Sequence, residues 1–252
     1  MAETGSEPAA GPEETRRGPG VIVSVLALIA LAILIALGTW QVQRLHWKEG
    51  LLAAIDERTH ADPLPLDDIL ATREEGEPVE YRRTTVTGHF LNEDEQFFFA
   101  THAGFSGYYV YTPLERADGS ILFVNRGFVG IDYKDPATRP ESWPEGEVTV
   151  NGLAREALHE KPSWIVPDND PAKNTFYWKD IEAFTENAGL DQDRVIDLYV
   201  DADDTPNPGG WPVGGVTIVS LPNNHLQYAV TWYGLAAALA AVFAARFLRR
   251  QR

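Results

Sequence analysis

Two long uncharged segments bracket a charged middle region in this chain. The first runs from 18 to 43 and is built on an apolar core at 21–37, which is almost entirely Val, Ile, Leu and Ala. With the next three residues this core reaches the ~20 residues that a membrane-spanning helix needs. A second segment, 226–245, also lacks charge. The pattern therefore predicts two transmembrane helices, at 19–40 and 226–245.

The alternative interpretation of the first segment is a cleaved export signal, because Arg16 and Arg17 precede an apolar run. Three features favour a retained span instead. The run is long for a signal, no A-x-A cleavage site follows it, and a second span is present.

Basic residues precede the first predicted span and follow the second. Arg16 and Arg17 precede the first span, and four arginines lie within 246–252 after the second. By the positive-inside rule both ends are cytoplasmic and 41–225 lies outside. The composition of the tail at 1–18 predicts disorder. This tail is also too acidic for a mitochondrial transit peptide, which favours a bacterial protein. We therefore expect a multi-pass protein of the cell inner membrane with a periplasmic central domain.

The middle region has the pattern of a β domain. Asp118-Gly119 between two runs is a hairpin signal, and Asp180 is a candidate N-cap of a short helix over 180–188. Six runs of β-branched or aromatic residues predict strands: 84–90, 96–100, 107–114, 121–129, 148–155 and 194–200. We predict a mainly antiparallel small barrel or sandwich with one or two short helices.

The first predicted helix continues beyond its apolar segment. Apolar residues recur at a spacing of three to four over 41–55, which is typical of an amphipathic helix. Trp40 and Trp47 fit the aromatic belt of a bilayer surface, and Arg44 can extend to lipid headgroups.

Composition excludes several classes of function. The net charge of -16 argues against nucleic acid as a partner. Cysteine is absent and the only methionine is Met1, so thiolate and thioether metal sites are excluded. No G-x-S-x-G elbow and no H-E-x-x-H motif is present. We therefore expect a protein without enzymatic activity, whose metal chemistry depends on histidine or carboxylate.

His225 is the most informative polar residue, because it stands at the start of the second span. On a helix, His225, Tyr228 and Trp232 share one face. One interpretation is a structural histidine near lipid headgroups. The other is an axial ligand to a haem at the outer interface, with aromatic walls and Arg44 near a propionate. Trp40 lies at the matching depth of the other span.

Arg126 is a charged residue inside an apolar strand. It either faces outward at a strand end or points to a carboxylate, which belongs to a protein acid or to a ligand propionate.

Several stretches together resemble one family. The chain resembles the surfeit locus protein 1 (Shy1-type) family over about 37–235, with Phe128 where that family typically has Trp. The stretches that carry the resemblance are 38–44 with Trp47-Lys48, 111–114, 124–129, 167–170 with 176–180, and 224–232.

The resemblance implies a membrane factor for assembly of cytochrome c oxidase. It further implies haem A binding at His225, delivery of haem A to oxidase subunit I, and contact with haem A synthase. A cofactor-free scaffold that holds subunit I is the alternative. A periplasmic hydrolase anchored by two spans is a third hypothesis, which no motif supports.

Overall fold

The computed structural model describes residues 20–217 and 222–249. The tail predicted at 1–18 lies outside the described residues, as do residues 250–252 of the predicted basic tail. The chain divides into two compact units. We call Met1–Leu51 with Leu221–Arg252 the helical unit, and Leu52–Ser220 the barrel unit.

The two longest helices begin and end the described chain. Helix α1 covers Val21–His60, and helix α4, the last in the chain, covers His225–Leu248. Both are long and apolar enough to cross a membrane. The predicted continuation of the first helix is confirmed, because α1 extends without interruption to His60.

Small residues line the faces along which α1 and α4 pack in the helical unit. Gly38, Ala229 and Ala236 are buried. A Cβ atom added at Gly38 would lie 2.8 Å from the ring of Tyr233. The Thr39 Oγ1 atom lies 3.1 Å from the hydroxyl of that tyrosine. Small residues at these positions let the two helix backbones approach closely, as they do in membrane helix pairs.

The barrel unit is a seven-stranded sheet in the order β1-β2-β6-β7-β5-β4-β3. Pairing is antiparallel except for β1–β2 and β5–β7. The strands are β1 Leu64–Pro65, β2 Arg83–Phe90, β3 Gln96–His102, β4 Phe105–Glu115, β5 Ile121–Gly130, β6 Glu147–Glu156 and β7 Val195–Ala202. The six predicted strands are confirmed, and the two-residue β1 was not predicted.

A short additional pairing closes this sheet. Strand β2 also pairs with β4, through His89 with Glu115 and Phe90 with Leu114. Five strands therefore form a closed ring, β2–β6–β7–β5–β4, as in small Greek-key barrels. Of the two predicted architectures, the structure is the barrel.

The barrel unit also contains two short α-helices, α2 at Leu66–Glu74 and α3 at Ile181–Asn187, and several single-turn 3-10 helices. Helix α3 confirms the predicted short helix, and the Asp180 carboxylate accepts from the Ala183 N–H at 3.0 Å. Helix α3 buries Ile181 and Phe184 against an aromatic cluster that includes Tyr111 and Tyr199. An aliphatic cluster and a smaller cluster of Phe97, Val110 and Val129 also belong to the core.

Candidate functional site

His225 is the first residue of α4, and its ring contacts α1. The Nδ1 atom lies 2.7 Å from Oε1 of Gln41, which is buried. An amide oxygen can only accept a hydrogen bond, so Nδ1 carries the proton. In the neutral ring Nε2 then keeps its lone pair. Within the described residues, no hydrogen bond is made to Nε2.

The segment before α4 is fixed to the same part of α1. The Asn223 side-chain oxygen accepts from the backbone N–H of His225 at 3.4 Å. One residue earlier, the Lys48 ammonium group donates to the carbonyl of Pro222. These contacts hold the start of α4. Both the backbone and the ring of His225 are therefore held in place.

Tyr228 and Trp232 lie one and two turns further along α4 from His225, as the sequence predicted. Tyr228 is exposed and Trp232 is half-buried. Their aromatic surfaces are therefore available on the helix side that also carries the imidazole.

Trp40 and Arg44 lie on α1 near the level of Gln41, but neither hydrogen-bonds to His225 in the described structure. The guanidinium carbon of Arg44 lies 3.8 Å from the ring centre of Trp47, an arrangement that favours a cation–π interaction. Trp40 is exposed. Arg44 follows Gln41 by three residues, which places it on the next turn of α1.

Gln41 is the residue of this site that sequence reasoning missed. The available signal was an amide side chain close to the end of an apolar helix, where a polar group in a span needs a partner. Nothing in the spacing indicated that the partner lies 184 residues away in the sequence.

The donor arrangement fits one axial ligand to haem iron. Histidines that bind metals commonly donate their other N–H to an oxygen acceptor, which fixes the tautomer and the ring orientation. His225 has this arrangement toward Gln41. No cluster of three or more His, Cys, Asp or Glu residues suited to a metal ion occurs in 20–217 and 222–249. The described site therefore offers a single imidazole rather than a multi-ligand metal cage.

Arg126 does not face outward, which makes that interpretation of its position wrong. Its side chain is 1% exposed, and Nη1 lies 3.4 Å from Oε1 of Glu95. Arg139 pairs with the same carboxylate at 2.5 Å. Burial lowers the pKa of Arg126 to about 10, with a smaller lowering by Arg139 and an opposing effect of Glu95. The observed partner is thus a protein acid, and a role toward a propionate stays a prediction.

A second buried charge in the barrel unit is also paired. Asp201 is 2% exposed and accepts from Arg155 at 2.5 Å, from Thr217 at 2.8 Å and from Asn125 at 2.9 Å. Burial alone would raise the pKa of Asp201, but Lys179, Arg155 and the hydrogen bonds outweigh it and hold the pKa below its usual value. This carboxylate is therefore a structural counter-charge.

Comparison with known proteins identifies the relatives of this chain. Surfeit locus protein 1 of Rattus norvegicus is 38% identical over 230 residues, which are 85% of this chain and 72% of that protein. The Homo sapiens protein of the same name is 37% identical over 242 residues, 89% of this chain and 77% of that protein. A SURF1-like protein of Monosiga brevicollis is 34% identical over 251 residues, 94% of this chain and 90% of that protein.

A family model described as the SURF1 family matches residues 28–237. This range begins inside α1, includes the whole barrel unit and ends inside α4. It therefore contains both Gln41 and His225. The chain belongs to the SURF1 family.

Proposed function

We propose that this protein is an assembly factor for a haem-copper (cytochrome c) oxidase that binds haem A and assists its delivery into subunit I. The observation that carries the proposal is the hydrogen bond from His225 Nδ1 to Gln41, which leaves Nε2 available for iron. Family membership and the two candidate membrane helices support it.

In this proposal each residue of the helical unit has a defined role. His225 ligates the iron through Nε2, and Gln41 holds the imidazole in the required tautomer and orientation. Tyr228 and Trp232 pack against the porphyrin, and Arg44 pairs with a propionate. When bound, haem A supplies the iron centre that the oxidase requires. Arg126 has no role in this site, because its side chain is buried in the barrel unit and pairs with Glu95 there.

We place the protein in a bacterial inner membrane, with both termini cytoplasmic and the barrel unit periplasmic. The chain has no native cysteine, so single cysteines can report its topology. Ser6→Cys in the N-terminal tail should be protected from a membrane-impermeant maleimide in intact spheroplasts, and Ser163→Cys should react. The reverse labelling pattern would overturn this orientation.

The ligand role is tested by co-expression with haem A synthase and purification of the complex. His225→Ala should purify without haem, and therefore without a Soret band, because the protein no longer holds the iron. His46→Ala is the matched control, since His46 is an exposed histidine of α1 and should leave the spectrum unchanged. Haem A added together with imidazole should restore a ligated spectrum to His225→Gly. Retention of haem by His225→Ala with an unchanged Soret band would refute the ligand role.

The second candidate function is a cofactor-free scaffold for subunit I. The observation that favours it is an exposed apolar pair in the barrel unit, Trp164 (90% exposed) and Ile165 (72% exposed). Exposed apolar groups can mark interaction surfaces. Purified protein that carries subunit I but no haem, and that loses subunit I in Trp164→Ala, would favour the scaffold over haem binding.

A further inference from the structure

Three arginines of the barrel unit line one pocket, which has a volume of about 270 Å³. They are Arg58 near the end of α1, Arg82 just before β2 and Arg83 at the first position of β2. All three are half-buried. The other residues that line the pocket are Ala54, Glu57, Ala61, Asp62 and Leu64. All of these residues belong to the barrel unit, so the pocket lies within a single unit.

These three arginines differ from the rest of the barrel unit in having no carboxylate partner. Among the described residues, Arg58, Arg82 and Arg83 form no salt bridge, although two acids also line the pocket. Every other arginine of the unit forms a salt bridge with a carboxylate: Arg73, Arg116, Arg126, Arg139, Arg155 and Arg194. The unpaired cations of the barrel unit that are arginines therefore meet in one place, in a chain whose net charge is -16.

The hydrogen-bond donors of these arginines are also largely unused. The Nε atom of Arg82 is buried and has no partner among the described residues. Arg58 makes one long contact, from Nη1 to the carbonyl oxygen of Glu80 at 3.5 Å. A buried donor without a partner is costly in a folded protein, and a bound acceptor removes that cost.

Local structure directs the three side chains to the same place. Ala54, Glu57 and Arg58 share one face of α1, because they lie three and four residues apart. The small side chain of the alanine leaves room on that face. Tyr81 has a φ of 63°, a left-handed conformation that turns the chain just before the other two arginines. Neighbouring side chains of a regular strand point to opposite faces, but after this turn both arginines line the pocket.

We propose that this pocket binds a phosphate group. Guanidinium groups match the oxygens of phosphate and of carboxylate with paired hydrogen bonds. A carboxylate has two oxygens and one charge, which is too little for three guanidinium groups. A phosphate ester carries about two negative charges and three acceptor oxygens, so it can contact all three and relieve their mutual repulsion. A cleft lined by charges of one sign also concentrates counter-ions.

The size of the pocket defines how much of a ligand it holds. Sites that enclose a whole small molecule typically measure about 300 to 1,000 Å³, and this pocket is slightly smaller. It therefore fits the charged group of a ligand. That group belongs either to a soluble phosphate or to the headgroup of an anionic phospholipid, which share the chemistry that the arginines recognise. This inference is independent of the proposed haem function.

The proposal is tested by calorimetric titration of the full-length protein in detergent and phosphate-free buffer. Inorganic phosphate and pyrophosphate should bind, and acetate at the same concentrations should not. Arg82→Gln should weaken phosphate binding at least about tenfold, because it removes a charged hydrogen-bond donor. Arg194→Gln is the matched control, since it removes the same charge from an exposed arginine that pairs with Glu115. This control should leave the phosphate affinity unchanged.

A second variant and a second measurement guard against misfolding. Arg58→Gln repeats the test at a position whose described side chain makes only the long contact to Glu80, so this variant should fold. Phosphate should raise the thermal unfolding temperature of the wild-type protein, and chloride at the same ionic strength should not. Both pocket variants should lose this rise. Their haem content should equal that of the wild type, which keeps this test separate from that of the proposed function.

Reconstitution into nanodiscs with phosphatidic acid or phosphatidylcholine distinguishes the two sources of the phosphate. Arg82-dependent retention of phosphatidic acid assigns the pocket to a lipid headgroup, and phosphate binding without such retention assigns it to a soluble phosphate. The proposal fails if the wild type binds none of phosphate, pyrophosphate and phosphatidic acid, or if Arg82→Gln and Arg194→Gln bind phosphate equally well. Tighter binding of acetate than of phosphate would also contradict it.

Discussion

The barrel unit and the helical unit use their buried polar groups in different ways. In the barrel, Glu95 pairs with both Arg126 and Arg139, and Asp201 pairs with Arg155. In the helical unit, His225 forms one hydrogen bond to Gln41 and leaves its second nitrogen without a described partner.

This contrast distinguishes polar groups that hold the barrel unit together from a polar group that can bind a ligand. These buried charges are paired with residues of the barrel, hold strands and loops in place, and are enclosed where a ligand does not reach them. Among the described residues, the Nε atom of Arg126 and the hydroxyls of Tyr111 and Tyr199 have no hydrogen-bond partner, but all three side chains are enclosed in the barrel unit. The imidazole is half-buried and reachable. We therefore expect mutations in the two units to separate the stability of the barrel from haem binding.

The largest effect should come from Glu95→Gln. Removing this carboxylate leaves Arg126 and Arg139 buried without a counter-charge, so the free energy of unfolding of the barrel should fall by about 3 to 5 kcal/mol. Denaturant unfolding followed by tryptophan fluorescence measures it. Glu93→Gln is the control, because Glu93 is exposed. Haem bound per folded molecule should not change, and a loss of haem without loss of stability would break the comparison.

Gln41→Leu should weaken haem binding rather than the stability of the barrel unit. It removes the acceptor that fixes the imidazole, and the haem affinity should fall by about 10- to 100-fold while barrel stability is unchanged. Gln41→Glu keeps an oxygen acceptor and should retain haem with a lower iron reduction potential, which a purely structural role would not alter. Gln43→Leu is the matched control, since Gln43 is exposed. Equal haem titrations for Gln41→Leu and Gln43→Leu would exclude a positioning role for Gln41.

Gly38→Ala tests the close packing that brings α1 and α4 together. The new Cβ would meet the Tyr233 ring at 2.8 Å, so the stability of the helical unit in an SDS titration should fall by about 1 to 3 kcal/mol. Gly234→Ala should have no such cost, because nothing lies within 4 Å of its added Cβ. Adding Tyr233→Ala should relieve the clash, and the lack of any relief in the double variant would argue against this contact.

The smallest effect should come from Asp180→Ala in the barrel unit. Loss of the N-cap hydrogen bond of α3 should lower the free energy of unfolding by about 1 kcal/mol. Asp180→Ser keeps a capping oxygen and should restore most of that stability. Haem binding should be the same in all three proteins, and a change would show that the two units are coupled.

The local elements of this fold could be predicted from the sequence. Alternating β-branched and aromatic residues predicted the strands, and the Asp118-Gly119 turn joins β4 to β5 as expected, with Gly119 at a φ of 82°. Helix α2 was missed, because Pro65 precedes it and only Leu66 and Ile69 are buried among its residues.

The position of Arg126 was harder to predict for a physical reason. Val110 pairs with Gly127 and Tyr111 pairs with Asn125, so Arg126 is the extra residue of a β-bulge. A bulge breaks the period-two alternation from which the side of a strand is read. The sequence showed that Arg126 is unusual but gave no signal of the buried Glu95 beside it.

The candidate site was predicted in part. The placement of His225, Tyr228 and Trp232 on successive turns of one helix followed from spacing alone. The pairing with Gln41 depends on how two helices are rotated about their own axes, and hydrophobic periodicity in long apolar segments does not define that rotation. Contacts between residues at opposite ends of a chain need the assembled structure.

The barrel is closed by only two residue pairs between β2 and β4, and this affects folding during synthesis. Strand β2 pairs along its length with β6, and the parallel partner of β5 is β7, which ends at Ala202. A ribosome that has just released β2 must still synthesise more than a hundred residues before the ring can close, which takes on the order of ten seconds. Until β7 is made, the edges of β5 and β6 that pair with it are open to other chains. The nascent chain, rather than the finished protein, is the stage at which misassembly is most probable.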